Sequence, residues 1–241
     1  MAGVRFRSHG LSDVGLVRPR NEDAFLDRPE RGLWAVADGM GGHAAGDEAS
    51  AAVVAALAAL TPPADLEDFV DEVKTRLLLT DRALRARAAS LGTGAVIAST
   101  VVTLLAYGDD FACVWAGDSR LYQWRAGELS RLSSDHSRVQ ELVNAGLLTE
   151  TAAGLHPEAH VVTQAIGAGR LTFGTRAGML RAGDRFLLCS DGLTNLVADS
   201  EIGRELGMAS PRDAAERLRD LVLARGASDN LTIVVIAVEP A

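Results

Sequence analysis

Ser99-Thr-Val-Val-Thr-Leu-Leu-Ala-Tyr107, Phe111-Ala-Cys-Val-Trp-Ala116, Arg120-Leu-Tyr-Gln-Trp-Arg125 and Glu128-Leu-Ser-Arg-Leu132 follow one another with only short turns between them. Each run is rich in β-branched, aromatic or alternating apolar residues, which suits a pleated surface. Gly108-Asp109-Asp110 and Ala126-Gly127 read as hairpin turns, so these four runs are successive antiparallel strands. Upstream, strands are expected at Val4 to Ser12, Ala24 to Leu26 and Leu33 to Ala37. They are followed by a helix from about Ala44 to Leu60, with Asp47 and Glu48 in its first turn. A second helix, about Leu66 to Ala89, keeps Phe69, Val70, Val73, Leu77, Leu78 and Leu84 at helical spacing. Downstream, Arg138 to Ala145 and Glu150 to Leu155 read as short helices and Val161 to Gly174 as irregular. Arg185 to Cys189 and Leu231 to Val238 read as apolar strands, with a helix at Pro211 to Ala224 between them. Strands in runs with helices in blocks define an α+β fold: two packed antiparallel sheets flanked by helices. No repeat divides the chain, and Pro62-Pro63 separates two helices rather than two domains, so one domain over 1–241 is expected.

Composition narrows the function. Of 241 residues, 48% are hydrophobic and 23% charged, which excludes disorder. With 24 Lys+Arg against 32 Asp+Glu the net charge is −8, which argues against nucleic acid or an anionic membrane as the main partner. All basic residues but Lys74 are Arg, which beside abundant Ala reads as compositional bias. Met1 to Gly10 carries Arg5, Arg7 and His9 without an apolar run, so no signal peptide is expected. The most apolar stretch, Ala49 to Leu60, is far short of the roughly 20 residues a membrane span needs. Cys113 and Cys189 lie in apolar runs without CxxC spacing, as reduced core thiols of a cytoplasmic protein would.

The chemistry is carried by aspartates. Trp34-Ala-Val-Ala37 runs into Asp38-Gly39, Phe111 to Ala116 into Gly117-Asp118, and Phe186-Leu-Leu-Cys189 into Ser190-Asp191-Gly192, while Asp229-Asn230 opens the last apolar strand. One Asp-Gly is a common turn. Four aspartates at the ends of buried strands, brought to one side of two sheets, would repel unless a cation joins them. Oxygen ligands without matching Cys or His favour Mg²⁺ or Mn²⁺, ions that hydrolyse phosphate esters when paired. Arg18-Pro-Arg-Asn-Glu-Asp23 adds a guanidinium, Arg18 or Arg20, suited to bidentate phosphate binding, and two carboxylates, Glu22 and Asp23.

Arg18-x-x-Asn-Glu-Asp23, Val36-Ala-Asp38-Gly39-Met-Gly-Gly42, Ser99-Thr100, Ala116-Gly-Asp118-Ser-Arg120, Ser134-Asp-His136-Ser, Ser190-Asp-Gly192 and Asp229-Asn230-Leu-Thr232 together resemble the metal-dependent type 2C (PPM) serine/threonine protein phosphatases, in their compact bacterial form. The resemblance covers nearly the whole chain. It implies a four-layer α-β-β-α sandwich with a small flap at about 136–174. It also implies two core Mn²⁺ or Mg²⁺ ions held by Asp38, the Gly39 carbonyl, Asp191 and Asp229, with a third ion at Asp118 and Asp191. Glu22, Asp23 and Asn230 would lie behind these ligands, and Arg18 would bind the phosphate.

The implied reaction is hydrolysis of phosphoserine and phosphothreonine in proteins by a water between the two ions, reversing a bacterial Ser/Thr kinase. The expected partners are phosphorylated proteins, including a cognate kinase, and the chain is expected to act as a monomer. Two flap stretches, Gln140 to Leu148 and Val161 to Gly167, resemble members paired with membrane Ser/Thr kinases, some of which control secretion systems. Met40 stands where eukaryotic members carry a proton-donating histidine. His43 and His160 read as structural, which leaves metal-bound water as the expected donor. The alternatives are a catalytically weak regulatory relative or a metal-binding sandwich without catalysis. A dehalogenase-type phosphatase would need an Asp-x-Asp nucleophile after the first strand, and the chain has none.

Overall fold

The run Leu33-Trp-Ala-Val-Ala37 is apolar at every position because both of its faces are buried. Leu33, Ala35 and Ala37 point to one hydrophobic cluster and Trp34 and Val36 to another. A strand of this kind lies in a sheet covered on both sides, and that arrangement repeats through the molecule. The computed structural model describes residues 4–41, 45–61, 64–92, 94–153, 156–159 and 161–241.

In chain order the strands are β1 (Val4–Asp13), β2 (Asp23–Arg28), β3 (Leu33–Gly41), β4 (Ile97–Ser99), β5 (Val101–Tyr107), β6 (Asp110–Ala116), β7 (Arg120–Arg125), β8 (Glu128–Arg131), β9 (Gly174–Met179), β10 (Arg185–Cys189) and β11 (Leu231–Pro240). The helices are α1 (Gly46–Ala58), α2 (Leu66–Leu91), α3 (Arg138–Asn144), α4 (Glu150–Ala153), α5 (Asp191–Thr194), α6 (Asp199–Met208) and α7 (Pro211–Ala224). One sheet has the order β1-β11-β10-β7-β8 and the other β2-β3-β5-β6-β9, with β4 paired to β3. All the pairings are antiparallel.

Three hydrophobic layers hold the sandwich together. Between the sheets lie Trp34, Val102, Leu104, Phe186, Leu188, Val234 and Ile236. Val53, Leu57, Val73 and Leu77 of α1 and α2 pack on the outer face of one sheet, and Ile202, Leu206, Leu218 and Val222 of α6 and α7 on the other. Burying each large side chain contributes about 1.5–3 kcal/mol before entropy is counted, so the layers, not local propensity, set the stability. Capping fixes where the outer helices begin: Asp65 accepts from the Asp68 amide (2.8 Å), and Ser210 accepts from the Asp213 amide (3.2 Å) ahead of Pro211.

Several expectations need correction. The run Ser99 to Tyr107 is two strands, broken at Thr100, because β3 pairs with β5 over Leu33 to Val36 and with β4 over Gly39 to Gly41. Asp38 therefore lies inside β3, where the strand changes partners, not at its end. β9 was not expected: Gly174-Thr-Arg-Ala-Gly-Met179 has no apolar alternation. It pairs with β6 because a Cβ at Gly174 would meet the Trp115 ring at 2.2 Å, so only glycine lets the strand lie over that ring. Helix α6 was also missed. The expected end of the Glu150 helix at Leu155 lies outside the described residues, as do Pro62, Pro63, His43, Gly42 and His160. Cys113 and Cys189 are both free and buried, and burial pushes both thiol pKa values up, that of Cys189 to about 12. Among the described residues no helix is long and apolar enough to cross a membrane.

Candidate active site

Asp38 is held by its own backbone. Thr100 donates its amide to the Asp38 carbonyl (2.8 Å), and its hydroxyl accepts from the Asp38 amide (3.1 Å). Ser99 Oγ donates to the same carbonyl (3.1 Å), and the Thr100 and Ser119 hydroxyls share a bond of 2.7 Å. The break between β4 and β5 thus clamps one aspartate, and it ties the turn before β7 to the same point.

One residue on, the backbone is pressed against its surroundings. The Gly39 amide donates to the Glu22 carbonyl (3.1 Å), and a Cβ at Gly39 would lie 2.0 Å from the Gly46 carbonyl oxygen. A Cβ at Gly46 would lie 2.7 Å from the Glu22 carboxylate. Only glycines allow β3, the start of α1 and Glu22 to meet this closely.

Asp191 opens α5 directly after β10, and one of its oxygens accepts from Asn195 Nδ2 (3.0 Å). Asp229 accepts from its neighbour's amide, Asn230 N, at 2.9 Å and from Arg18 Nη2 at 2.7 Å. Asn230 is a junction: its Nδ2 donates to the Val14 and Arg20 carbonyls (both 2.9 Å), and its Oδ1 accepts from the Glu22 amide (2.8 Å). Asp23 accepts from Ser190 Oγ (2.8 Å) through one oxygen, while the other is buried without a hydrogen-bond partner among the described residues.

Arg18, Glu22, Asp38, Gly39, Asp118 and Asp191, together with Met40, Asp229 and Asn230, line one open cavity of about 1400 Å³. Burial raises the Asp38 pKa well above the usual carboxylate range, and Asp23, Asp191, Asp118 and Asp229 push it further. Burial likewise carries Asp118 to about 7, reinforced by Asp191 and Asp135 and opposed by Arg120. Asp23 rises to about 6, again chiefly through burial. The Arg18 pKa is raised by its hydrogen bond to Asp229 and by that carboxylate's charge.

Asp38, Asp118 and Asp23, kept from ionising by burial first and by neighbouring carboxylates second, are groups that a nearby cation would relieve. The oxygen-only chemistry of the cavity's carboxylates fits hard divalent cations. Arg18 and Asn195 engage two of the carboxylates, and among the described residues no three His, Cys, Asp or Glu side chains are drawn together around one point.

The sequence places Arg18, Glu22, Asp38, Gly39, Asp118, Asp191, Asp229 and Asn230 at this cavity, and the fold brings them all there; Asp23 stands behind them. Gly46, Asn195 and the clamp formed by Thr100 were missed. The glycine density from Gly39 to Gly46 is the signal that could have exposed the first. The segment after β8 is bound to the Asp118 turn through His136, whose amide donates to the Gly117 carbonyl (2.9 Å) and whose Nδ1 accepts from the Gly117 amide (3.4 Å). Trp115 stacks on that imidazole with ring centroids 6.0 Å apart, and burial lowers the His136 pKa against the pull of Asp135 and Glu141.

Two stacked antiparallel sheets with helices outside, and a carboxylate cavity fed by both sheets, constitute the PPM sandwich. The family model for protein phosphatase 2C matches residues 18–228, and the chain belongs to that family. Among solved structures it is similar to PppA, described as a key regulatory component of T6SS in Pseudomonas aeruginosa (42% identity, TM-score 0.90, covering 98% of this chain and 99% of that one). It is also similar to the catalytic domain of the serine/threonine protein phosphatase PstP in complex with two manganese ions (35% identity, TM-score 0.88, 98% and 99% covered). Full-length PstP of Mycobacterium tuberculosis is 37% identical over 93% of this chain, but the match spans only 43% of that relative.

Proposed function

We propose that the protein hydrolyses phosphoserine and phosphothreonine in other proteins, with Mn²⁺ or Mg²⁺ as cofactor. The observation that carries this reading is one cavity lined by Asp38, Asp118, Asp191 and Asp229 together with Arg18. Asp38, the Gly39 carbonyl, Asp191 and Asp229 would hold two ions, and Asp118 with Asp191 a third. When bound, such ions neutralise phosphoryl charge and lower the pKa of water.

The chain's own groups do the rest. Arg18, half-exposed and resting on Asp229, is free to turn its guanidinium to two phosphoryl oxygens in a charge-assisted bidentate contact. Asn230 keeps the Arg18 loop in register with Asp229, and Glu22 is held over Gly39 by the same side chain. Thr100 and Ser99 fix Asp38 so that its carboxylate does not follow a departing ligand. Met40 at the cavity wall cannot protonate the leaving serine or threonine alkoxide, which leaves that proton to water.

The segment at about 136–174 acts as a flap, anchored through His136 and reaching the cavity with Val162. The natural substrates are phosphoproteins of a Ser/Thr kinase pathway, the kinase itself among them. The similarity to PppA, a regulatory component of T6SS, favours a pathway that regulates secretion. Release of phosphate from p-nitrophenyl phosphate and from a phosphothreonine peptide, with Mn²⁺ or with EDTA, tests the reading. Mn²⁺-dependent release from both is expected. Release from neither, with Mn²⁺ bound, would make the protein a metal-binding sandwich without catalysis.

A further inference from the structure

Leu16 and Val17 are 65% and 67% exposed, and Val14 beside them is 38% exposed. Among the described residues these are three of twelve exposed large hydrophobic side chains, gathered within four positions directly ahead of Arg18. Scattered apolar residues on a surface need no explanation, but a group of them directly ahead of an arginine that lines a cavity does.

The backbone beneath them is not loose. Asn230 Nδ2 donates to the Val14 carbonyl, the Gly15 amide donates to Asp13 Oδ1 and the Leu16 amide donates to the Ala227 carbonyl, each at 2.9 Å. Gly15 adopts φ +75°, and a Cβ there would lie 2.4 Å from the Asp229 carbonyl oxygen. The loop is therefore pressed onto the segment that carries Asp229, while its aliphatic side chains are left in solvent. A surface whose backbone is already ordered loses little entropy when it binds, which is what a recognition element requires.

We propose that Val14–Val17 is a specificity lip, on which Leu16 and Val17 receive an apolar residue flanking the phosphorylated side chain of the substrate protein. This inference rests on the phosphatase reading above and deepens it. Arg18 lines the cavity and Pro19 continues its wall, so a phosphoryl group at Arg18 brings the adjoining peptide against the lip. The Cα atoms of Leu16 and Arg18 are at most about 7 Å apart, so a residue close in sequence to the phosphorylated one can reach the lip. An aliphatic surface selects by burial and disfavours a charged or small polar residue there. The flap and the lip then share peptide recognition, and the phosphate itself is left to Arg18 and the carboxylate-bound ions.

The test is kcat/KM on two phosphothreonine peptides identical except for Leu or Ser next to the phosphothreonine, with p-nitrophenyl phosphate as a substrate that lacks the flanking residue. The Mn²⁺-loaded wild type is compared with Leu16→Ser, Val17→Ser, the double variant, Leu16→Met and, as a control on α2, Leu79→Ser, whose side chain is 52% exposed. The wild type, Leu16→Met and Leu79→Ser should prefer the Leu peptide about tenfold. The double variant should lose that preference to within about twofold, by slowing on the Leu peptide alone. Its rate on p-nitrophenyl phosphate should stay unchanged. A wild type without preference, a preference that survives in the double variant, or an equal loss on p-nitrophenyl phosphate would overturn the lip while leaving the phosphatase reading intact. A Mn²⁺-loaded wild type inactive on all three substrates would overturn that reading, and the lip with it.

Discussion

Asp184 and Asp191 lie at the two ends of the same strand, β10, and the protein treats them in opposite ways. Asp184 is 1% exposed and fully provided for: Arg125 Nε donates to it at 2.6 Å, Arg125 Nη2 reaches its second oxygen, and the Arg181 amide adds a bond of 2.8 Å. At the other end Asp191 lines a cavity with Asp38 and Asp118, whose pKa values are raised first by burial and then by neighbouring carboxylates, Asp191 among them. Arg18 rests half-exposed on Asp229 in the same cavity. The chain therefore can neutralise a buried carboxylate with arginine, and does so where the task is to hold the sandwich together. Where carboxylates line the cavity instead, their charge balance falls, under the proposed function, to bound cations.

The contrast breaks most visibly under substitution. Asp38→Ala, Asp191→Ala and Asp229→Ala should each lower kcat/KM for p-nitrophenyl phosphate about a thousandfold or more, on the order of 4 kcal/mol, with the circular dichroism spectrum retained. Single-turnover phosphate release at saturating Mn²⁺ measures this; a tenth of wild-type activity in all three would end the idea that these carboxylates act together.

At the Asp184 end the expected outcome is reversed. Arg125→Ala strips a buried carboxylate of its partner and should cost about 3 kcal/mol of stability in urea denaturation, with turnover per folded molecule unchanged. A smaller effect is expected for Arg18→Ala, about 2 kcal/mol in kcat/KM, equal for p-nitrophenyl phosphate and phosphopeptides because the phosphoryl group is common to both. A loss confined to peptides would move Arg18 from the phosphate to the chain around it.

The smallest effect is on pH dependence. In the folded protein Asp118 is raised to about 7 and Asp23 to about 6, so between the ordinary Asp value near 4 and pH 7 the metal-free folded state holds protons that the unfolded chain has released. The stability of the metal-free protein should accordingly fall as pH rises through this window. Asp118→Asn should flatten the fall by a few degrees of Tm, read as the difference between variant and wild type. A parallel pair of profiles would mean that Asp118 is neither desolvated nor held among like charges.

Much of this was legible in the sequence where burial is two-sided. Leu33 to Ala37, Phe111 to Ala116 and Leu231 to Val238 are apolar throughout because helices cover one face and the other sheet covers the second. The aspartates could be read because each follows or precedes such a run. What escaped reading depends on contacts between distant parts of the chain. β9 is specified by the rings of Trp115 and Phe111 beneath Gly174 and Gly178, not by its own residues. Helix α6 has only Ile202 and Leu206 fully buried, too few to mark a period in ten residues. That Asp38 sits within a strand follows from the change of partner at Thr100, which no local pattern announces. The clamp on Asp38 and the pinning of Gly39 by Gly46 are likewise products of tertiary packing.

The central claim is that the carboxylate end awaits cations and the arginine end does not. It is tested most directly by the thermal unfolding of metal-stripped wild type and Asp38→Asn, with and without Mn²⁺. Asp38→Asn should melt above the wild type in the absence of metal, because the folded state no longer has to bury a carboxylate whose ionisation is opposed by desolvation and by its acidic neighbours. It should also lose most of the rise in Tm that Mn²⁺ gives the wild type. An Asp38→Asn protein that melts below the metal-free wild type, yet gains as much from Mn²⁺, would contradict the account.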